Sequence, residues 1–352
     1  MKTGIPSSYK PSRALCLTGL LAALPLTACS SDPAEEQPPE PPVEQNVPCA
    51  ELRTGLEAGV PATLSETGLY QDIATRTLAS GVREFTPRYP LWSDSAQKRR
   101  FIQLPDGCNI HTGDMDHWVF PVGARLWKEF VVDGKLLETR FIARHGPGAE
   151  DFILVAYAWR ADGSDADYVR YGVVNAQGTQ HSIPAAKDCK TCHSYLPEQV
   201  LGFSALQLDH DGAGVTLGQL AAEGRLTTPP AERLTVPGNA TEAAALGYLH
   251  VNCGNCHNPQ GIEFNDVFDL RLSVKDKTVQ DTGAYRTAVN VSVEKFVTPG
   301  INLRIDPGHA DQSCVHHRMT IRGTVEQMPP TASRVTDPEG VALIKAWIDG
   351  MK

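Results

Sequence analysis

The sequence Cys189-Lys190-Thr191-Cys192-His193 recurs in the chain as Cys253-Gly254-Asn255-Cys256-His257. Each copy has two thiols separated by two residues and followed directly by an imidazole. This is the pattern of covalent haem attachment, in which the thiols add to the two vinyl groups of one haem and the imidazole faces the iron. We therefore predict two covalent haem c groups. Their attachment residues would be Cys189, Cys192, Cys253 and Cys256, and their proximal iron ligands would be His193 and His257.

Two other kinds of site use Cys-x-x-Cys pairs. Two pairs can form a structural Cys₄ zinc cage, but the pairs of such cages usually lie closer together in sequence and need no His after each. A thioredoxin-like redox centre calls for one pair at the start of a helix in a βαβ unit. Two copies, each followed by His, favour haem over both alternatives.

The N-terminal residues predict export from the cytoplasm. Three basic residues precede an apolar stretch over 14–28, which is typical of a signal peptide and short for a membrane span. The stretch ends in Leu26-Thr27-Ala28-Cys29, which resembles a bacterial lipobox and implies cleavage before Cys29 and acylation of that residue. Several acyl chains give stable membrane anchoring. We expect a lipid-anchored protein of the cell envelope; Ser30 after the anchor favours the outer membrane, and its periplasmic or exterior face stays open. An ordinary secreted protein cut nearby is the alternative.

Residues 29–48 are rich in Pro and Glu and nearly free of apolar side chains, which predicts an extended tether with no core of its own. The rest of the chain is long enough for more than one domain. The formal net charge of −9 argues against nucleic acid as a partner and favours basic redox partner proteins.

Three cysteines remain after the haem cysteines, the lipid site and the signal peptide are set aside. In an oxidising compartment, Cys49 and Cys108 could form a disulfide that fastens the N-terminus of the folded part to a loop. Cys314 would then be unpaired, and we expect it to be buried and unreactive.

The segment 49–180 is predicted to be a β-rich domain. Runs of β-branched and aromatic residues separated by Asp-Gly or Gly-Pro turns indicate a small antiparallel sandwich or barrel, preceded by a short amphipathic helix over 64–78. The predicted strands lie at 101–104, 118–132, 136–144, 152–159 and 168–174. The acidic run Asp162–Asp167 could bind Ca²⁺, but it lacks EF-hand spacing and is more simply a hairpin turn.

The segment 240–352 resembles a class I cytochrome c. A helix over Thr241–Val251 would lead into the second haem motif, and a last helix would begin with Asp337 as its N-cap and Pro338 at its first position. Between them, Met328-Pro329-Pro330 resembles the loop that places a thioether on the distal side of haem iron. The resemblance implies that Met328 is the sixth ligand of the second haem.

The first haem, within the segment 181–239, has no obvious distal ligand, because the interval between the two motifs contains no Met. The distal position could also be vacant. The candidate ligands are His181, His210, His250, Met115 and Met319. Together these segments predict an α+β multidomain chain, with an N-terminal β-rich, sandwich- or barrel-like domain followed by a mainly α-helical di-haem cytochrome c region.

Most of the chain from about residue 64 onward resembles a family of di-haem c-type cytochromes among bacterial periplasmic and outer-membrane lipoproteins, whose genes often neighbour a parallel β-helix repeat protein. The stretches in the β-rich segment make the match narrower than the haem motifs alone. The matching stretches are 89–94, 98–105, 118–123, 183–184, 201–208 and 248–253, of which the first three lie in the β-rich segment. The resemblance implies an electron-transfer protein and carries no known substrate.

Three functions are compatible with the sequence. The favoured one is an electron carrier, not an enzyme, with two six-coordinate haems. The second is a di-haem peroxidase-like enzyme whose first haem keeps an open site, although the two motifs lie much closer in sequence than in such enzymes. The third is the electron-accepting subunit of a periplasmic dehydrogenase, with the β-rich domain as a carbohydrate-binding module.

Overall fold

The computed structural model describes residues 49, 55–56, 59–194, 196, 199–261, 268–295, 297–331 and 333–351. Residues Asn46–Lys352 form one compact unit. The predicted signal peptide, the lipid site at Cys29 and the predicted tether lie outside the described residues. Within the described residues, no helix is long and apolar enough to cross a membrane.

An antiparallel six-stranded sheet is the largest element of the fold, and each of its strands pairs with the next strand in sequence. A separate hairpin, β1 (Tyr70–Asp72) and β2 (Thr77–Leu78), precedes it. The six strands are β3 (Arg83–Glu84), β4 (Gln97–Gln103), β5 (Arg125–Val132), β6 (Lys135–Arg144), β7 (Phe152–Trp159) and β8 (Ala166–Tyr168).

The α-helices of the described residues all follow the sheet in sequence. They are α1 (Ala186–His193), α2 (Ala205–Leu208), α3 (Leu217–Ala222), α4 (Ala240–Asn252), α5 (Gly283–Ala288), α6 (Cys314–Thr320) and α7 (Pro338–Asp349). Single 3₁₀ turns lie at Leu64–Thr67, Ala176–Gly178, Val279–Asp281 and Ala310–Gln312.

Alternation along the strands gives the sheet two covered faces. Phe101, Trp127 and Phe141 stand opposite one another on β4, β5 and β6 and belong to one buried core. On the other face, Ile102 and Leu126 pack with buried aromatic residues of the loops that cross the sheet. Farther along that second face, several basic side chains lie beside the first Cys-x-x-Cys-His motif.

The predicted sandwich or barrel is wrong, because the strands form one open sheet whose opposite face is covered by loops and helices. The predicted helix over 64–78 is also wrong. It is replaced by the 3₁₀ turn and the β1–β2 hairpin. Gly68 follows the turn with φ +85°, a left-handed conformation that ends a helix.

The prediction of a mainly α-helical cytochrome region after the sheet is wrong as well. Helices make up 24% of the structure and strands 21%, and within the described part of the chain only α4 and α7 exceed eight residues. Pro-Gly pairs at 237–238, 299–300 and 307–308 interrupt the chain between the helices, since Pro lacks the amide hydrogen that a helix needs. Irregular loops therefore connect most of the short helices.

The two long helices begin and end close to where the sequence indicates. The Asp337 side chain caps α7 by accepting a hydrogen bond from the Gly340 amide at 3.0 Å, and Pro338 occupies the first turn. Helix α4 packs against α7, and Gly340 allows this close approach, because a methyl group there would overlap the Tyr248 ring. The crossing holds the start of the second haem motif against the C-terminal helix.

The remaining cysteines and the acidic turn occupy structural positions. Cys49 and Cys108 form a disulfide, and Cys314 is buried and unpaired, with its pKa raised by burial. In the turn between β7 and β8, Asp162 accepts hydrogen bonds from the amide and hydroxyl of Ser164. The described residues contain no group of three or more His, Cys, Asp or Glu side chains that could hold a metal ion, and calcium remains only an expectation from sequence.

Candidate functional site

Helix α1 carries the first Cys-x-x-Cys-His motif and packs against strand β7 of the sheet. Its N-terminus is closed by Asp188, whose carboxylate accepts a hydrogen bond from the Ala185 amide at 3.0 Å. The helical turn places the thiols of Cys189 and Cys192 about one turn apart. Both thiols are partly buried, and neither is in a disulfide.

His193 has the environment of an imidazole that ligates a metal. Its Nδ1 donates a hydrogen bond to the Gln199 carbonyl at 2.6 Å, which fixes the tautomer and leaves Nε2 with its lone pair available. Burial lowers the pKa of His193 to about 4, and the charges of Arg140 and Lys128 act in the same direction. The ring is therefore neutral at pH 7, the form that binds iron.

The second motif follows directly from the end of α4. The turn is closed by hydrogen bonds from the Cys256 and His257 amides to the Cys253 carbonyl, at 3.1 and 2.9 Å. Asn258 adds a bond from its amide nitrogen to the Gly254 carbonyl at 2.8 Å. This tight turn presents both thiols and the imidazole from one short stretch of backbone.

His257 is buried on one side by Phe268, with ring centroids 4.7 Å apart. Burial lowers its pKa to about 4, with further contributions from the charges of Arg318 and Arg304. Its Nδ1 is buried and has no hydrogen-bond partner among the residues that the structure describes. A buried polar atom of this kind calls for an explanation such as a ligand.

The fold brings the two motifs into contact. The thiols of Cys192 and Cys256 lie close enough to interact, and this interaction is the main reason that the pKa of Cys192 is lowered. Because the two cysteines belong to different motifs, two groups attached to them would be immediate neighbours.

A small cleft adjoins the second motif. Cys253, Met328 and Met319 all line it, together with Arg322, while His257 is outside the lining. Burial raises the pKa of the Cys253 thiol to about 12. The structure therefore places Met328 and Met319, two of the three methionine candidates, close to Cys253 of the second motif.

The histidine candidates for the distal side of the first haem already have partners. His181 Nε2 lies 2.7 Å from a carboxylate oxygen of buried Glu138. His210 uses both ring nitrogens, with the Thr86 carbonyl at 2.6 Å and the Gly212 amide at 2.9 Å.

The two remaining candidates for the distal ligand of the first haem, His250 and Met115, pack within the protein. His250 is buried, and its Nδ1 accepts a hydrogen bond from the Leu272 amide at 3.1 Å. Met115 packs at the margin of the apolar cluster on the second face of the sheet. Neither lies in the cleft beside the second motif.

Sequence reasoning missed a set of basic side chains beside the first motif. Lys98 and Arg100 on β4, Lys128 on β5 and Arg140 on β6 share one face of the sheet. The sequence did indicate a basic face, because Lys98 and Arg100 are two residues apart on a strand and so point to the same side. From sequence alone, such a face is interpreted as exposed to solvent, and only the fold shows that the loops and α1 adjoin it.

No protein-family model, curated protein or solved structure matches this chain. The residues present nevertheless fit covalent haem by their own chemistry. Each motif offers two thiols and a neutral, buried imidazole, one with its Nδ1 bound to a carbonyl and the other with a buried nitrogen lacking a described partner. The described residues contain no Cys₄ cage of the kind that zinc requires.

Proposed function

We propose that the protein is an extracytoplasmic di-haem c-type cytochrome that carries electrons between redox partner proteins. The observation that carries the proposal is the contact between Cys192 and Cys256, which makes the two Cys-x-x-Cys-His motifs neighbours. Haem c supplies one-electron redox chemistry when bound. Two adjacent redox groups in one chain favour transfer between them.

The side chains of the two motifs would attach and orient the haems. The thiols of Cys189, Cys192, Cys253 and Cys256 would hold them covalently, while His193 and His257 would be the proximal ligands. The Gln199 carbonyl fixes the ring orientation of His193. Met328 is the proposed sixth ligand of the second haem, supported by its position beside Cys253 in the cleft.

The proposed location is the bacterial cell envelope, with anchoring through lipid on Cys29. Its basis is the N-terminal sequence, which lies outside the described residues. The disulfide between Cys49 and Cys108 supports an oxidising compartment. The electron donor and acceptor would be proteins that dock on an acidic surface, since the formal net charge is −9.

The haem content of motif variants tests the proposal. In a host that attaches c-type haem, we expect two covalent haems per wild-type chain by the pyridine haemochrome assay. Cys189→Ala/Cys192→Ala and Cys253→Ala/Cys256→Ala should each retain one. Cys314→Ala removes a cysteine outside the motifs and should retain two. A wild-type chain without covalent haem would refute the proposal.

Ligand binding separates a carrier from a peroxidase-like enzyme. A carrier predicts two low-spin haems in the optical and EPR spectra of the oxidised protein, unchanged by cyanide, CO or peroxide. A high-spin signal that these ligands abolish would instead make the first haem an active site. The single-motif variants assign such a signal to one haem.

A further inference from the structure

Three cations stand side by side on neighbouring strands. Arg100 on β4 is opposite Lys128 on β5, which is opposite Arg140 on β6. The row continues to Ala156 on β7, the strand against which α1 packs. Like charges directly opposite each other in a sheet are destabilising, so this row needs a compensating partner.

A second row lies beside the first on the same face. Lys98 is opposite Phe130, which is opposite Glu138. Glu138 is the one carboxylate in these two rows, and its oxygens are already occupied by Arg140 Nε at 2.5 Å and His181 Nε2 at 2.7 Å. Lys98 donates to the Leu91 carbonyl at 2.7 Å, and the carboxylate that acts on its charge is Asp337, which lies outside these two rows.

The side chains of Arg100 and Lys128 form no hydrogen bond or ion pair with any residue that the structure describes. The Lys128 ammonium lies over the Phe130 ring, 4.9 Å from its centroid, and the charge of Glu138 also acts on it. Burial lowers the pKa of Arg100 to about 10 and that of Lys128 well below its usual value. Partly buried cations without a hydrogen-bonded carboxylate are costly, and carboxylates are their natural complement.

These cations adjoin the first haem motif. Arg140 interacts electrostatically with the thiols of Cys189 and Cys192, and both Arg140 and Lys128 act on the His193 ring. Arg100 is two strands from Arg140, and strand spacing makes that separation roughly 10 Å. The row therefore starts at the thiols and extends away from them over a distance comparable to the width of a porphyrin.

We propose that Arg100 and Lys128, on the face of the sheet that α1 covers, bind the propionate carboxylates of the haem attached to Cys189 and Cys192. This inference rests on the proposed function. Thioether bonds hold the vinyl edge of a haem, and its propionates lie at the opposite edge. The guanidinium of Arg100 can bind a carboxylate through two parallel hydrogen bonds, and Lys128 adds a point charge. The sheet is then one wall of the first haem site.

Single substitutions on β4 and β5 test this assignment in the haem-loaded protein. Arg100→Met and Lys128→Met remove one cation each and keep much of the side-chain length. Arg99→Met is the matched control, because Arg99 is the neighbouring residue on β4, points to the opposite face and pairs with Glu84 at 2.8 Å. Arg100→Lys keeps the charge. The readouts are haem content, the propionate-bending bands in the resonance Raman spectrum and the midpoint potential of each haem.

With two haems retained, we expect Arg100→Met and Lys128→Met to shift the propionate bands and lower the potential of the first haem, because a nearby cation stabilises the reduced form. Arg99→Met should leave both readouts unchanged, and Arg100→Lys should retain the wild-type potential. Unchanged bands and potentials in both Met variants, with two haems present, would overturn the inference and leave the proposed function intact. Absence of haem from the wild type would refute the proposed function itself.

Discussion

The thiols of Cys192 and Cys256 interact with each other although each belongs to a different Cys-x-x-Cys-His motif. The first lies on α1 against the sheet, and the second lies in the turn that follows α4. The contact joins the β-rich part of the chain to the part held by the α4–α7 crossing. It means that the two motifs form one site rather than two separate ones.

Neighbouring haems predict magnetic interaction. In the oxidised protein, the EPR spectrum of the two-haem chain should differ from the sum of the spectra of Cys189→Ala/Cys192→Ala and Cys253→Ala/Cys256→Ala, because adjacent ferric spins couple. A wild-type spectrum equal to that sum would place the haems far apart and contradict the contact.

Glu138 pairs with Arg140 and His181 beside the first motif. We therefore expect Glu138→Gln to be strongly destabilising at pH 7. Burial alone would raise the pKa of Glu138, but the charge of Arg140 and the hydrogen bonds from His181 and Arg140 lower it. Breaking such a buried pair typically costs about 3–5 kcal/mol. Urea unfolding at pH 7 measures this loss in the free energy of unfolding.

The pH dependence of that loss is a sharper check. Since the folded pKa of Glu138 lies below its usual 4.5, the stabilisation is complete above pH 4.5 and is lost as the pH falls through the folded pKa. The difference between wild type and Glu138→Gln should therefore shrink in acid. Glu84→Gln, at an exposed ion pair with Arg99, should cost less than about 1 kcal/mol. Equal losses at the two sites would contradict the buried network.

The α4–α7 crossing depends on the absence of a side chain at Gly340. Gly340→Ala places a methyl group against the Tyr248 ring and should lower the free energy of unfolding by about 1–3 kcal/mol through overpacking. Gly218→Ala in α3 meets open space and should be neutral or stabilising by up to about 1 kcal/mol. Thermal unfolding compares the stabilities of the two variants. A Gly340→Ala variant as stable as the wild type would show that α4 and α7 can move apart without a loss in the free energy of unfolding.

The disulfide between Cys49 and Cys108 closes a sequence separation of 59 residues. Cys49→Ser/Cys108→Ser should lower the free energy of unfolding by about 2–4 kcal/mol, because the unfolded chain loses the constraint. The denaturation midpoint of the reduced wild type should match that of the double variant. A midpoint equal to that of the oxidised wild type would mean that the bond contributes nothing.

Local patterns in the sequence predicted single elements well. Strand β7 coincides with the predicted 152–159, and the caps of α7 follow from Asp337 and Pro338. Elsewhere the same patterns misled: the predicted strand 118–132 begins only at Arg125, and that predicted at 168–174 contributes only its first residue to β8. Long-range packing, and not local propensity, decides these boundaries.

The two Cys-x-x-Cys-His motifs could be recognised in the sequence because each lies within five adjacent residues, and haem attachment stays a prediction from that pattern. Their convergence could not be predicted, since it depends on how α1 packs on β7 and how α4 packs on α7. The role of the basic rows could not be predicted either, because it also depends on long-range packing. Alternation along β4 shows that Lys98 and Arg100 share a face, but only the fold shows that α1 adjoins that face.

Intact-mass spectrometry of the denatured, purified chain decides whether the two haems are covalently attached, because only covalent groups survive denaturation. We expect a mass increase of two haems, with one haem on the peptide that contains Cys189 and Cys192 and one on the peptide that contains Cys253 and Cys256. A chain whose four motif thiols all remain free to react with an alkylating reagent would contradict this expectation.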